Sequence, residues 1–126
     1  MLIQLGSAST IRFVQAINGA GQALNILSAG SNESVIFEST LGSVGAALGN
    51  LEVSSTGSGV LRFNGAVHAS SIEAEGQVLI AADLTTTNAQ NYDGAVTLKT
   101  NSTLTSASGL IHFRSTLDAD QVGVQT

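Results

Sequence analysis

Side chains able to do acid–base, nucleophilic or metal chemistry are few in this chain, and they do not gather. Nine carboxylates, four basic residues and two histidines are spread over 126 residues. Only Glu73 with Glu75, and Asp118 with Asp120, form close acidic pairs. Alternate spacing puts both members of a pair on one face of a strand. From such a face a polysaccharide-cleaving enzyme draws its acid and base. Neither pair has a basic or aromatic companion nearby, so an enzyme is not the expectation. His68 and His112 lie far apart with no neighbouring His or Cys, whereas a metal site needs three or four convergent ligands. Both therefore read as surface histidines, and no cofactor or metal is expected. Asn32-Glu33-Ser34 and Asn101-Ser102-Thr103 match the glycosylation acceptor pattern, which arises often by chance. Threonines at 85, 86, 87, 97, 100, 103 and 105 raise an ice-binding face, but the first half of the chain does not supply the same ranks.

What remains is a set of polar residues placed beside aromatics. Arg12, Arg62 and His112 each stand immediately before an aromatic residue, and Arg114 follows one, as do Glu38, Asn64 and Asp93. If the aromatics stack, Arg12, Arg62, His112 and Arg114 form a candidate contact stripe on an outer face, suited to a glycan or a protein receptor. The plainer alternative is a solvated face whose cross-strand ion pairs are worth only a few tenths of a kcal/mol each.

The elements that would position these residues announce themselves by repetition. The phrases Ile11–Ile17, Val35–Leu41, Leu61–Val67, Gln90–Val96 and Ile111–Leu117 hold all four Phe and the only Tyr in one slot. Those aromatics, Phe13, Phe37, Phe63, Tyr92 and Phe113, are 24, 26, 29 and 21 residues apart. A period near 25 residues is the mark of a repeat architecture whose units bury their apolar faces only against neighbours. Apolar residues fall two before the aromatic in four copies (Ile11, Val35, Leu61, Ile111), at the aromatic, and four after it in all five, which is the alternation of a half-buried strand. The residue two after it is small or uncharged (Gln15, Ser39, Gly65, Gly94, Ser115), where the backbone is predicted to bend or approach the core. A weaker phrase follows: Leu24-Asn25-Ile26, Leu51-Glu52-Val53, Ile72-Glu73-Ala74, Leu104-Thr105-Ser106 and Val122-Gly123-Val124, with Gly30, Gly57, Gly76 and Gly109 close behind four of them. Residues 77–84 echo the aromatic phrase with Ile80 in its slot, which accounts for the long third interval. Short strands with turns every 8–12 residues also fit an antiparallel sandwich or barrel. Repetition of the same inward pattern favours one all-β domain over residues 1–126, a parallel β-solenoid of about five coils, with the five aromatics in a single internal ladder.

Composition narrows the setting. Apolar residues make up 43% and charged residues 10%, with 14 Gly, no Pro and no Cys. Disulfides, thiolate metal sites and thiol nucleophiles are thereby excluded. Net charge is −5 with no basic cluster, so nucleic acid is not an expected partner. No run approaches the roughly 18 apolar residues that cross a bilayer, so membrane insertion is not expected. The start, Met1-Leu2-Ile3-Gln4-Leu5, lacks the charged and long apolar regions of an intact signal peptide. In an exported protein this chain would be a processed or excised piece.

Three strings, residues 85–98, residues 101–106 and residues 111–118, together with Phe37–Val53 and its Val44-Gly45 turn, resemble the repeats of filamentous-haemagglutinin-like exoproteins. The likeness runs over residues 11–120. It implies a right-handed parallel β-helix in the stalk of a large bacterial surface adhesin, exported by a two-partner or autotransporter route to the cell surface or beyond. This chain lacks the family's secretion domain, translocator barrel and any known binding module, so the resemblance concerns a scaffold. The expectation is a structural stalk segment whose outer face meets host cells, glycans or other copies. A filament subunit stacking end to end is the alternative, because neither end shows a polar cap. A carbohydrate-active β-helix enzyme is a third reading, carried by the fold alone.

Overall fold

The computed structural model describes residues 2–5, 10–28, 33–54 and 59–119. Asn32, Asp120, Gly30, Gly57 and the Val122–Val124 phrase lie outside the described residues. Every paired strand runs parallel to its neighbours, and the chain winds as a β-solenoid of about five turns with no helix among the described residues.

One wall is a six-stranded sheet of β2 (Thr10–Phe13), β4 (Ser34–Phe37), β6 (Val60–Phe63), β8 (Gln77–Ile80), β11 (Val96–Leu98) and β14 (Leu117–Ala119), in that spatial order. The second wall stacks β1 (Leu2–Leu5), β3 (Leu24–Ser28), β5 (Leu48–Ser54), β7 (Val67–Glu75), β10 (Gln90–Tyr92) and β13 (Ile111–Phe113). A third, narrower side carries β9 (Leu84–Thr86) and β12 (Leu104–Ser106), joined to the start of β7. Isolated bridges extend it downward through Leu41 to Ile17.

Alternation produces this arrangement directly. In β4, β6 and β8 the buried positions are every second residue, and the inward ones are Val35/Phe37, Leu61/Phe63 and Val78/Ile80. Each fully buried side chain of this size contributes on the order of 1.5–3 kcal/mol. An exposed ion pair contributes roughly 0.2–1 kcal/mol. The inward columns therefore decide the register. Corner hydrogen bonds repeat with it: the amides of Glu38, Asn64, Ala81 and Lys99 donate to the carbonyls of Phe13, Phe37, Phe63 and Ile80 one coil below, at 2.7–2.9 Å.

The single aromatic ladder does not form. Phe13, Phe37, Phe63 and then Ile80 and Leu98 make one column on the first wall. Rings 13 and 37 stack at 5.0 Å, and rings 37 and 63 at 5.7 Å. Ile80 does occupy the aromatic slot, as its phrase predicts. Tyr92 and Phe113 stack with each other at 5.2 Å on the second wall, above Ala74, Val53 and Ile26. The cause is that the phrase is a strand end plus a corner, not one strand. The strand stops at the aromatic, two or three small or polar residues turn the chain, and the apolar residue four positions on begins the next wall. Phe63-Asn64-Gly65-Ala66-Val67 turns from the first wall to the third, whereas Tyr92-Asp93-Gly94-Ala95-Val96 turns from the second to the first. Both corners need glycine. A Cβ on Gly65 would strike the Ser39 carbonyl, and one on Gly94 would strike that of Gly76 in the coil below. The Leu104–Ser106 phrase is likewise moved: it stacks on Leu84–Thr86 in the third side, and Gln90–Tyr92 and Ile111–Phe113 continue the Leu24–Ile26 column.

Candidate functional site

With two walls exchanged, the proposed outer stripe also divides. Arg12 and Arg62 lie in one outward column of the first wall, separated by Ile36. Here the side chains form a chain of contacts across three coils. Arg62 Nε donates to Asn64 Oδ1 (2.6 Å), Asn64 Nδ2 donates to Glu38 Oε1 (3.0 Å), and Arg12 Nε stands 4.0 Å from the same Glu38 oxygen. His112 and Arg114 sit on the second wall. His112 ends an outward column that runs Asn25, Glu52, Glu73, Asn91, His112. Arg114 Nε pairs with Asp93 Oδ1 at 3.3 Å.

That second outward face gathers four carboxylates, Glu52, Glu73, Glu75 and Asp93. Glu52 and Glu73 are directly paired on adjacent strands, where like charges repel. Glu75 is held by a 2.9 Å hydrogen bond from Ser54 Oγ. With Asp93, Asn91 and Arg114 they line a shallow depression of about 110 Å³. Glu73 and Glu75 thus share a face, as their spacing predicts. Among the described residues no three His, Asp or Glu side chains are placed to hold a metal ion. Such a strip attracts cations and basic groups only as a solvated field.

The polar group that sequence reasoning missed is inside. Gln90 is fully buried and Thr86 nearly so. Tyr92 donates its hydroxyl to Gln90 Oε1 (2.7 Å), while Gln90 Nε2 donates to Thr86 Oγ1 (3.2 Å) and to the Thr105 carbonyl (2.9 Å). The Thr86 hydroxyl in turn donates to the Asn88 carbonyl at 2.6 Å. The network ties Tyr92 on the second wall to two successive strands of the third side, β9 and β12, and it leaves the amide of Gln90 fully satisfied, which a buried polar group requires. Burial pushes the Tyr92 phenol well above its ordinary pKa, so it stays a neutral donor. The signal was present: Leu84, Thr86, Gln90 and Tyr92 share one parity, so alternation alone turns all four inward.

Both ends of the solenoid expose core. At the C-terminal end Leu98, Leu104, Ile111 and Phe113 are only half-buried and Leu117 is 47% exposed; together with Ser102 they line a hollow of about 310 Å³. At the other end Ile11, Phe13 and Ile17 are half-buried. The interior inward residues between these ends are nearly all closed to solvent. Among the described residues no helix is long and apolar enough to cross a membrane. Comparisons of the chain with protein-family models, with curated proteins and with solved structures return no match, and the haemagglutinin-like resemblance rests on the strings that carry it.

Proposed function

We propose that this chain is a structural stalk segment of a secreted bacterial surface adhesin, located at the cell surface or outside the cell. Its work is to lengthen a stiff rod and to hold outward side chains at fixed spacing for a glycan, a host receptor or another copy. The observation that supports this reading best is the unbroken inward column on each wall. Coil after coil turns one pair of side chains inward on each wall, apolar everywhere but at Gln90, while the outer faces carry short polar chains and a shallow depression. The contact candidates fall into two stripes, Arg12 with Arg62 and His112 with Arg114, so each is tested separately. A glycan array and a cell-binding assay are run on the chain, on Arg12→Ala/Arg62→Ala and on His112→Ala/Arg114→Ala. Binding lost in one variant and kept in the other supports presentation from that wall. Binding unchanged in both, or no binding by the parent chain, removes the stripes from the adhesive role. A second reading, a filament subunit, is favoured by the half-exposed core at both ends. Electron micrographs of fibres from a chain that binds no glycan select it.

A further inference from the structure

We propose that the C-terminal coil of one copy stacks on the N-terminal coil of a second copy, in register, with Asp118 of the first seated beside Arg12 of the second. The inference rests on the solenoid-rod reading and specifies its end contact.

The register follows from the columns. The edge strands at the C-terminal end are β13 and β14, and those at the N-terminal end are β1 and β2, on the same two walls. Adding a copy as the next coil places β1 on β13 and β2 on β14, with the parallel direction kept. On the first wall the residue order inward–outward–inward is Leu117, Asp118, Ala119 at one end and Ile11, Arg12, Phe13 at the other. Three complementarities follow at once. Leu117, 47% exposed in the single chain, is covered by Ile11. The uncovered face of the Phe13 ring, stacked on one side only, meets the small Ala119. Asp118 and Arg12, opposite charges at the two ends of one outward column, become cross-rung neighbours. On the second wall the equivalent step sets the free face of Phe113 over Ile3. No column is asked to place two like charges or two unmatched rings together. The unpaired backbone edges of the terminal strands are paired by the same movement, which is what an exposed parallel edge demands.

A charge-exchange experiment tests this with the full chain. The parent chain is expected to associate with rising concentration in light scattering coupled to size exclusion, growing by about 29 Å of rod per copy, the six stacked strands of each wall at ~4.8 Å each. Asp118→Arg alone and Arg12→Asp alone each put like charges at the junction. Each is expected to raise the concentration needed for association on the order of tenfold or more. Mixing the two variants restores opposite charges at every junction and is expected to restore association to near the parent's level, with the copies alternating. Recovery on mixing cannot come from misfolded variants. The proposal is overturned if the parent is monomeric at all concentrations, if the single variants associate as the parent does, or if the mixture fails to recover. Far-ultraviolet circular dichroism separates this from failure of the rod reading: a monomer that keeps its strand spectrum loses only the stacking, whereas a chain without strand signal loses the solenoid itself.

Discussion

If the aromatics form two columns on different walls, their energetic coupling must divide the same way. Phe37 and Phe63 are each no more than 1% exposed, and their rings lie 5.7 Å apart and 10° from parallel. Phe37→Leu and Phe63→Leu each remove part of a buried ring and are expected to cost about 1–3 kcal/mol. Much of the stacking is lost with the first substitution and cannot be lost again. The double variant is therefore expected to be less destabilised than the sum by about 0.5–1.5 kcal/mol, the worth of an aromatic pair beyond its buried area. Phe63 and Tyr92 occupy the same slot of the repeated phrase, so a single ladder would couple them similarly. In the fold they stand on different walls and two coils apart, which alone separates them by roughly 9–10 Å along the axis. Their coupling is expected to stay within about 0.5 kcal/mol of zero. Urea unfolding followed by circular dichroism measures both cycles, and for a chain of this size 1 kcal/mol also moves the melting temperature by roughly 3–6 °C. A Phe63–Tyr92 coupling as large as that of Phe37–Phe63 would refute the two-column arrangement.

The interior network predicts that Tyr92→Phe leaves Gln90 Oε1 buried without its donor, at a cost of about 1–3 kcal/mol in urea unfolding. The same phenol sets an alkaline limit. Its pKa is raised by burial from the ordinary 10.0, so above pH 10 the unfolded chain releases this proton first. Stability should then fall by up to about 1.4 kcal/mol per pH unit, with no contribution below pH 10, and Tyr92→Phe should flatten that slope. Gly65→Ala drives a Cβ into the Ser39 carbonyl and is expected to destabilise by more than about 2 kcal/mol, while Gly45→Ala, with open space around it, should be neutral or stabilise by up to about 1 kcal/mol; equal melting shifts for the two would contradict the corner packing. Arg62→Ala is expected to cost less than about 1 kcal/mol, since its partners Asn64 and Glu38 lie on a solvated corner. A larger loss would mean the outer chain of contacts holds the register, contrary to the weight given to the core.

The solenoid and its parallel stacking were legible because inward alternation repeats in order, and Ile80 could be placed in a phrase it matches poorly. The wall on which each phrase sits was not legible. Phe37-Glu38-Ser39-Thr40-Leu41 and Phe113-Arg114-Ser115-Thr116-Leu117 are nearly the same string, yet the first leaves the first wall and the second enters it. A corner asks only for an inward apolar residue, a few small or polar ones and another inward apolar residue. Corners of a three-sided coil satisfy that demand alike. The apparent period near 25 therefore averages real coils with a change of wall. Measured along the paired columns, the coils run 24 and 26 residues from Phe13 to Phe63, then 17 and 18 to Leu98 and 21 to Ala119. The charged stripe inherited the same error, because each of its members was placed by reference to its aromatic. The buried Thr86 and Gln90 were obscured for a different reason: their types are usually outward, and only their parity with Leu84 and Tyr92 argues otherwise.

Why the ring changes walls follows from the space inside a coil. In the coils of Phe37 and Phe63 the corresponding inward residues of the second wall are Ile26 and Val53. In the coil of Tyr92 the first wall offers Leu98, and in that of Phe113 it offers Ala119. Between them lies a short coil with Ala74 and Ile80 and no ring at all. Each coil holds at most one ring, with an aliphatic residue across from it, as close packing between walls at fixed separation requires. The ring's wall is free to change so long as no coil must hold two rings. The first coil carries its ring on the first wall and the last coil on the second, so a copy added in register meets each terminal ring with an aliphatic side chain. The same packing rule that sets the interior therefore leaves the two ends matched.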